Sequence, residues 1–167
     1  KFNKALIEKY FGKHKNNTVI HNGADIETIS ESTPMDKGSY NDIWSCAASW
    51  RPHKRLEENI RYFLEHKKDN DLLVVAGYVE PKDRIKEKSV VYFGNLSQKQ
   101  LYSLYKSSTN FIHLAWLDHC PNVVVDARAA GCHIICSSAG GTKEIAGEDS
   151  TIIQEDDWDF EPIKLYL

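Results

Sequence analysis

The run Leu72-Leu73-Val74-Val75-Ala76-Gly77 carries no polar side chain, and this narrows the possible folds more than any other feature. A strand with one wet face alternates apolar and polar residues. An unbroken Leu/Val run is instead expected of a strand covered on both faces, the setting of a parallel sheet layered by helices. Mostly apolar runs of three to six residues recur at residues 43–48, 90–93, 111–115, 134–136 and 151–153. Between them apolar residues fall at helical spacing: Leu56, Ile60, Phe63 and Leu64 in one stretch, and Leu101, Leu104 and Tyr105 in another. The second stretch opens on Ser97-Gln98-Lys99-Gln100, a capping box. A third helix is expected from Pro121, tolerated in a first turn, to Gly131. Strands alternating with helices predict an α/β, Rossmann-like, doubly wound parallel sheet with helices on both faces. Counting Thr18-Val19-Ile20 as a further strand gives six or seven.

The rest of the chain sets boundaries on this reading. Phe2, Leu6, Ile7, Tyr10 and Phe11 predict an opening helix with Gly12 as a left-handed cap, and residues 27–41, rich in Ser, Thr, Pro and Gly, read as a loop. A length of 167 residues suits one domain, residues 1–167. The start at Lys1, inside a helix, is expected of a piece of a longer chain. The net charge of -3 argues against a nucleic-acid partner, which needs positive charge to neutralise phosphates. Cys46, Cys120, Cys132 and Cys136 form no paired C-x-x-C motif and read as reduced thiols of a cytoplasmic protein. The first residues do not read as a signal peptide, and no run of roughly 20 apolar residues occurs in the sequence. Trp44, Trp50, Trp116 and Trp158 do not interleave with basic residues and are expected in the core or at its rim. His113, within a strand, reads as a packed residue. Phosphate loops of the P-loop or G-x-G-x-x-G type are absent, against an ATPase or a dehydrogenase.

The segment richest in chemistry is Asp118-His119-Cys120-Pro121-Asn122-Val123-Val124-Val125-Asp126. One carboxylate stands in the loop after a strand and a second lies two turns into the following helix. The N-terminus of that helix, at Asn122 and Val123, offers free N–H groups and a positive dipole end to a diphosphate. A carboxylate farther along suits vicinal ribose hydroxyls. Residues 49–55, Ser49-Trp50-Arg51-Pro52-His53-Lys54-Arg55, add a basic cluster before a helix.

With its surroundings, this segment resembles the signature of the retaining glycosyltransferases of the GT-B fold, the "glycosyl transferases group 1" family. That signature places a Glu, seven residues and a second Glu before a helix of small residues, followed by a strand and a Gly-Gly-x-x-Glu turn. Here the corresponding residues are Asp118 and Asp126, the turn His119-Cys120-Pro121-Asn122, the helix ending at Gly131, and Gly140-Gly141-Thr142-Lys143-Glu144. Both acidic positions are Asp, one methylene shorter. Upstream, Ile20-His21-Asn22-Gly23-Ala24-Asp25 resembles the family's junction just past the interdomain linker, and Lys54 matches the family's diphosphate lysine. The family's arginine falls nearest Ser49, so Arg51 stands as its replacement. Gly77 matches a strand-end glycine, and Phe93-Gly94-Asn95-Leu96 the loop facing the nucleobase.

The resemblance implies the C-terminal, donor-binding half of a hexosyltransferase, without its N-terminal acceptor domain and inactive alone. The donor would be a UDP-, GDP- or ADP-sugar, used with retention of configuration, without a metal or other cofactor. Asp118, Lys54 and Arg51 would act at the reacting end. Asp126 would hold the ribose, and Asn122, Val123, His119, Gly77, Asn95 and Leu96 would line the nucleotide. The acceptor would be a glycan or lipid-linked sugar, with peripheral membrane contact by the full-length protein. The rival readings are an idle sugar- or nucleotide-binding module and half of a GT-B-type epimerase.

Overall fold

The computed structural model describes residues 1–155; Trp158 and the last part of the expected 1–167 domain lie outside the described residues. Among the described residues six parallel strands form one sheet in the order β3-β2-β1-β4-β5-β6: β1 Ile43–Ala47, β2 Leu72–Ala76, β3 Val90–Gly94, β4 Asn110–His113, β5 His133–Ser137 and β6 Thr151–Ile153. Every residue of β1 and β2 is buried, as expected of strands covered on both faces.

The two faces are built differently. On one, α3 (Leu56–His66) packs against β1 and β2. Its Ile60 and Phe63 are fully buried, each contributing about 1.5–3 kcal/mol by leaving water. On the other lie α2 (Ile26–Glu31), α4 (Gln98–Ser107) and α5 (Asn122–Ala129). The capping box of α4 forms as expected: Ser97 accepts from the Gln100 N–H, and the Gln100 side chain accepts from the Ser97 N–H. Its fully buried residues are Tyr102, Leu104 and Tyr105, whereas Leu101 is half-buried. The apolar face of α4 is thus rotated slightly from that read in the sequence.

Three expectations are corrected. Thr18-Val19-Ile20 is not a strand; Val19 is 39% and Ile20 87% exposed, so there is no layer for them to pair with. Residues 27–41 are not loop throughout, because α2 occupies their first part. Asp25 starts α2, its carboxylate accepting from the Thr28 N–H at 3.0 Å and the Thr28 hydroxyl at 2.7 Å. Ile29 then anchors it in the core. Gly12, after α1 (Phe2–Phe11), has φ 81 but an extended ψ of 165, so it turns the chain away without a left-handed helical cap.

All four cysteines are free; Cys46, Cys132 and Cys136 are buried and Cys120 is half-buried. Burial pushes the Cys136 thiol up to about 11 and Cys132 to about 12. No helix among the described residues is long and apolar enough to cross a membrane.

Gly77, just past β2, adopts φ +100, and a Cβ there would lie 2.0 Å from the Ala48 carbonyl oxygen. Gly94, the last residue of β3, also has positive φ (+65) but open space around it. Gly77→Ala is therefore expected to destabilise the fold by about 2–4 kcal/mol, strain and collision combined. Gly94→Ala should cost only about 1 kcal/mol, the conformational part. Urea unfolding midpoints of the two variants check this; equal losses would show that the Ala48 contact is immaterial.

Candidate functional site

In the strand order, β1 and β4 are neighbours whose connections leave in opposite directions, β1 through α3 to β2 and β4 through α5 to β5. A crevice opens beyond the carboxyl ends of such a pair. Two loops border it: residues 48–55 after β1 and 114–121 after β4. They are stitched together. The Trp116 N–H donates to the His53 carbonyl at 2.8 Å. Asn59, only 1% exposed, reaches from α3, donating to the Lys54 carbonyl at 3.1 Å and the Arg55 carbonyl at 2.6 Å. Its side-chain oxygen accepts from the Leu114 N–H at 3.1 Å. Arg55 (φ 51) and Leu117 (φ 59) hold left-handed backbone without being glycine, at a cost of roughly 1–2 kcal/mol each. They directly follow Lys54 and precede Asp118, so strain accumulates where the two loops meet.

At that meeting point the Lys54 ammonium pairs with Asp118 Oδ2. The same oxygen lies 2.9 Å from His113 Nε2, and Oδ1 accepts from the His119 N–H at 2.9 Å. The Lys54 and Asp118 side chains are 19% and 14% exposed, and His113 is buried. Burial pushes the Asp118 carboxyl up, but the hydrogen bonds from His113 and Lys54 outweigh it and hold it well below the usual carboxylate range. Burial pushes His113 down and wins over the raising effect of Asp118. His113 is thus neutral at neutral pH. Its hydrogen bond to an ionised carboxylate assigns the proton to Nε2, and Lys54 supplies the charge. His53 is also pushed down, by burial and then by Lys54.

The remaining residues singled out in the sequence distribute around this pair. Arg51 is exposed and makes no side-chain hydrogen bond or ion pair among the described residues. Asn122 opens α5, and its side-chain oxygen accepts from Asn22 at 2.7 Å, docking residues 21–24 beside the helix end. Val123 is half-buried in the first turn. Asp126, half-buried, makes no side-chain hydrogen bond among the described residues; burial and then the Asp25 carboxylate raise it. No hydrogen bond or ion pair links it to the Lys54–Asp118 pair. The exposed His119 ring lies 5.4 Å from the Phe2 ring, centroid to centroid. Gly77 and Asn95 join the ends of β2 and β3: the Gly77 N–H donates to the Gly94 carbonyl at 2.7 Å, and the Asn95 side chain accepts from the Tyr78 N–H at 3.1 Å. Leu96 is half-buried against the core.

Gly140 and Gly141 press on the Asp118 loop. A Cβ on Gly140 would lie 2.6 Å from the Asp118 carbonyl oxygen, and one on Gly141 2.0 Å from that of His119. Glu144, three residues on, accepts from the Phe2 N–H at 2.5 Å and lies 3.5 Å from His21 Nε2. Two concavities among the described residues border Glu144. One of about 160 Å³ is bordered by α1, His119, Cys120 and Glu144, and one of about 350 Å³ by Asn22, Val125 and Arg128. Neither is lined by Lys54 or Asp118. No group of three or more His, Cys, Asp or Glu among the described residues is placed to hold a metal ion.

Asn59 and the hydrogen-bonding role of His113 were missed in the sequence. Asn59 could have been found, being a polar residue three after Leu56 and four before Phe63, on the apolar face of its helix. For His113 the packed reading holds, but its ring also orients Asp118.

The family described as Glycosyl transferases group 1 matches residues 40–159. No curated protein matches the chain. Among solved structures, HepE of Anabaena in complex with UDP-glucose is similar at 15% identity and a TM-score of 0.72, covering 92% of this chain and 48% of its own. Sucrose-phosphate synthase from Thermosynechococcus elongatus is similar at 14% identity and a TM-score of 0.73, covering 93% and 44%. WaaG, a glycosyltransferase involved in lipopolysaccharide biosynthesis, is similar at 16% identity and a TM-score of 0.67, covering 89% and 46%. The chain spans about half the length of these structures, and the fold it shares with them is that of GT-B glycosyltransferases.

The site's electrostatics carry a pH signature. His113 takes up a proton in the unfolded chain at a pKa near 6.5 but resists doing so when folded. The unfolded state then binds more protons, so stability is full above about pH 7 and falls on acidification, with a slope approaching 1.4 kcal/mol per pH unit. Asp118, lowered in the fold, adds a second decline below about pH 4. His113→Gln should make the first decline shallower, leaving the part that His53 contributes, and should keep the second as long as the Gln amide still donates to Asp118. Urea titrations between pH 3 and 8 measure both limbs; an unchanged slope between pH 7 and 5 in the variant would assign it to another group.

Proposed function

Since the chain belongs to the glycosyl transferases group 1 family, we propose that it is the nucleotide-sugar-binding half of a hexosyltransferase. Its donor is a UDP-, GDP- or ADP-sugar, and transfer proceeds with retention of configuration and without a metal. The acceptor, a glycan or a lipid-linked sugar, binds to an N-terminal domain outside this chain, and a lipid-linked acceptor brings the full-length protein to a membrane surface. Alone, the chain binds donor and transfers nothing.

The observation that carries this reading is that Lys54 and Asp118, 64 residues apart, meet at the end of the β1–β4 crevice, where sheets of this order hold ligands. Lys54, with Arg51 exposed beside it, neutralises the charge that grows on the leaving diphosphate. The first N–H groups of α5, at Asn122 and Val123, have no intrahelical acceptor and add to that field. Asp126, the fifth residue of α5 and so just over one turn in where the sequence suggested two, takes ribose hydroxyls, and its lack of a side-chain partner leaves it open to do so. Asp118 takes hydroxyls of the sugar. Gly77, Asn95 and Leu96 border the base, and His119 the sugar side. HepE is seen in complex with UDP-glucose and with UDP, which supports a nucleotide sugar over an unrelated ligand for this fold.

Titration with UDP, GDP and ADP, followed by amide chemical shifts, tests the reading; silence toward all three at millimolar concentration would overturn it. Asp126→Ala is expected to weaken the responding nucleotide by tenfold to a hundredfold, the worth of hydrogen bonds to a charged group. Lys54→Ala should weaken the diphosphate and leave the plain nucleoside nearly unchanged, and binding should persist in EDTA. A strict need for magnesium or manganese would place the phosphate site elsewhere.

A further inference from the structure

Resting on that donor site, we infer that Asp118 competes with the diphosphate for Lys54, and that the competition makes the site prefer the sugar-bearing nucleotide over the bare nucleoside diphosphate. Without ligand, Lys54 is committed to Asp118 Oδ2, and Asp118 spends its remaining capacity on His113 Nε2 and the His119 N–H. The pair is mostly out of water, with side chains 19% and 14% exposed. A carboxylate that loses its cation in such a place is left uncompensated. The two remaining partners, a backbone amide and a buried imidazole, bring no charge to replace it.

A bare diphosphate can take Lys54 only by leaving Asp118 in that condition. A nucleotide carrying a sugar brings hydroxyl donors to the same carboxylate as Lys54 turns to the phosphates, so the bond broken on one side is replaced on the other. Sugar recognition and phosphate recognition are thereby coupled through one oxygen, Asp118 Oδ2. The coupling also acts after transfer. Once the sugar has left, Asp118 keeps only its two uncharged partners, Lys54 returns to it, and the nucleoside diphosphate loosens.

The test is calorimetric titration of the chain with a nucleoside diphosphate and its sugar: UDP with UDP-glucose, GDP with GDP-mannose and ADP with ADP-glucose. The four proteins are wild type, Asp118→Asn, Lys54→Met and the double variant. These substitutions remove charge and keep shape, and thermal melts establish that each protein is folded. Asp118→Asn should tighten the bare diphosphate by tenfold or more, leave the sugar nucleotide no tighter, and so erase the preference. In the Lys54→Met background, Asp118→Asn should change the diphosphate affinity by less than twofold. If Asp118→Asn does not tighten the diphosphate while Lys54→Met weakens it, the competition is refuted and the donor site stands. If Asp118→Asn tightens it equally in both backgrounds, plain repulsion between like charges is the cause, and the competition is again refuted. If Lys54→Met leaves every diphosphate affinity unaltered, or none of the six nucleotides binds, the donor site itself is misplaced and the inference falls with it.

Discussion

The structure turns on the parallel pairing of β1 with two neighbours, β2 on one side and β4 on the other. A strand buried on both faces has no water for its backbone, so every N–H and C=O must be met in the plane of the sheet. Parallel neighbours meet them, but a parallel pair cannot be closed by a tight turn and needs a crossover. With β2 and β4 on opposite sides, the crossovers diverge and the loops after β1 and β4 face each other across a gap. The convergence of Lys54 and Asp118 is thus a product of sheet order before it is one of side-chain attraction.

The gap is narrow because the backbone has been forced to approach. Asn59 spends three hydrogen bonds on holding the loops in register, while Arg55 and Leu117 accept left-handed backbone beside the charged residues. On the far side Gly140 and Gly141 admit the Asp118 loop to within distances that no side chain would allow. The glycine pair of the Gly-Gly-x-x-Glu turn therefore has a steric reason in this chain. Such a frame leaves the carboxylate at position 118 little freedom of its own, in keeping with a shorter Asp at this position.

Much of this was legible in the sequence, and the parts that were not share a cause. Strands wholly covered by helices announce themselves as unbroken apolar runs, and α3 and α4 by their spacing and the Ser97 box, since each signal is local. α2 escaped notice because six residues with one core contact, Ile29, make no periodic pattern; its start depends on the Asp25 cap. Thr18-Val19-Ile20 misled for the opposite reason, its strand-like composition having no partner. Within the candidate site, Asp118 and Lys54 were found through their motif contexts. The link between them, the Asn59 bridge and the His113 hydrogen bond are long-range events that no window of sequence contains.

The burial of the thiols has a practical side. Cys46, Cys132 and Cys136 are sealed inside the core, and a thiol there meets a reagent only when the sheet opens. Cys120 alone is half-buried, in the loop between Asp118 and Asn122, with its carbonyl 3.3 Å from the Asn22 amide. The native chain therefore offers chemical labelling one preferred sulfur, and it sits two residues from the carboxylate at the centre of the crevice. A small fluorophore or fluorinated tag placed there would turn the protein into its own reporter of occupancy, with the three sealed sulfurs as a silent background.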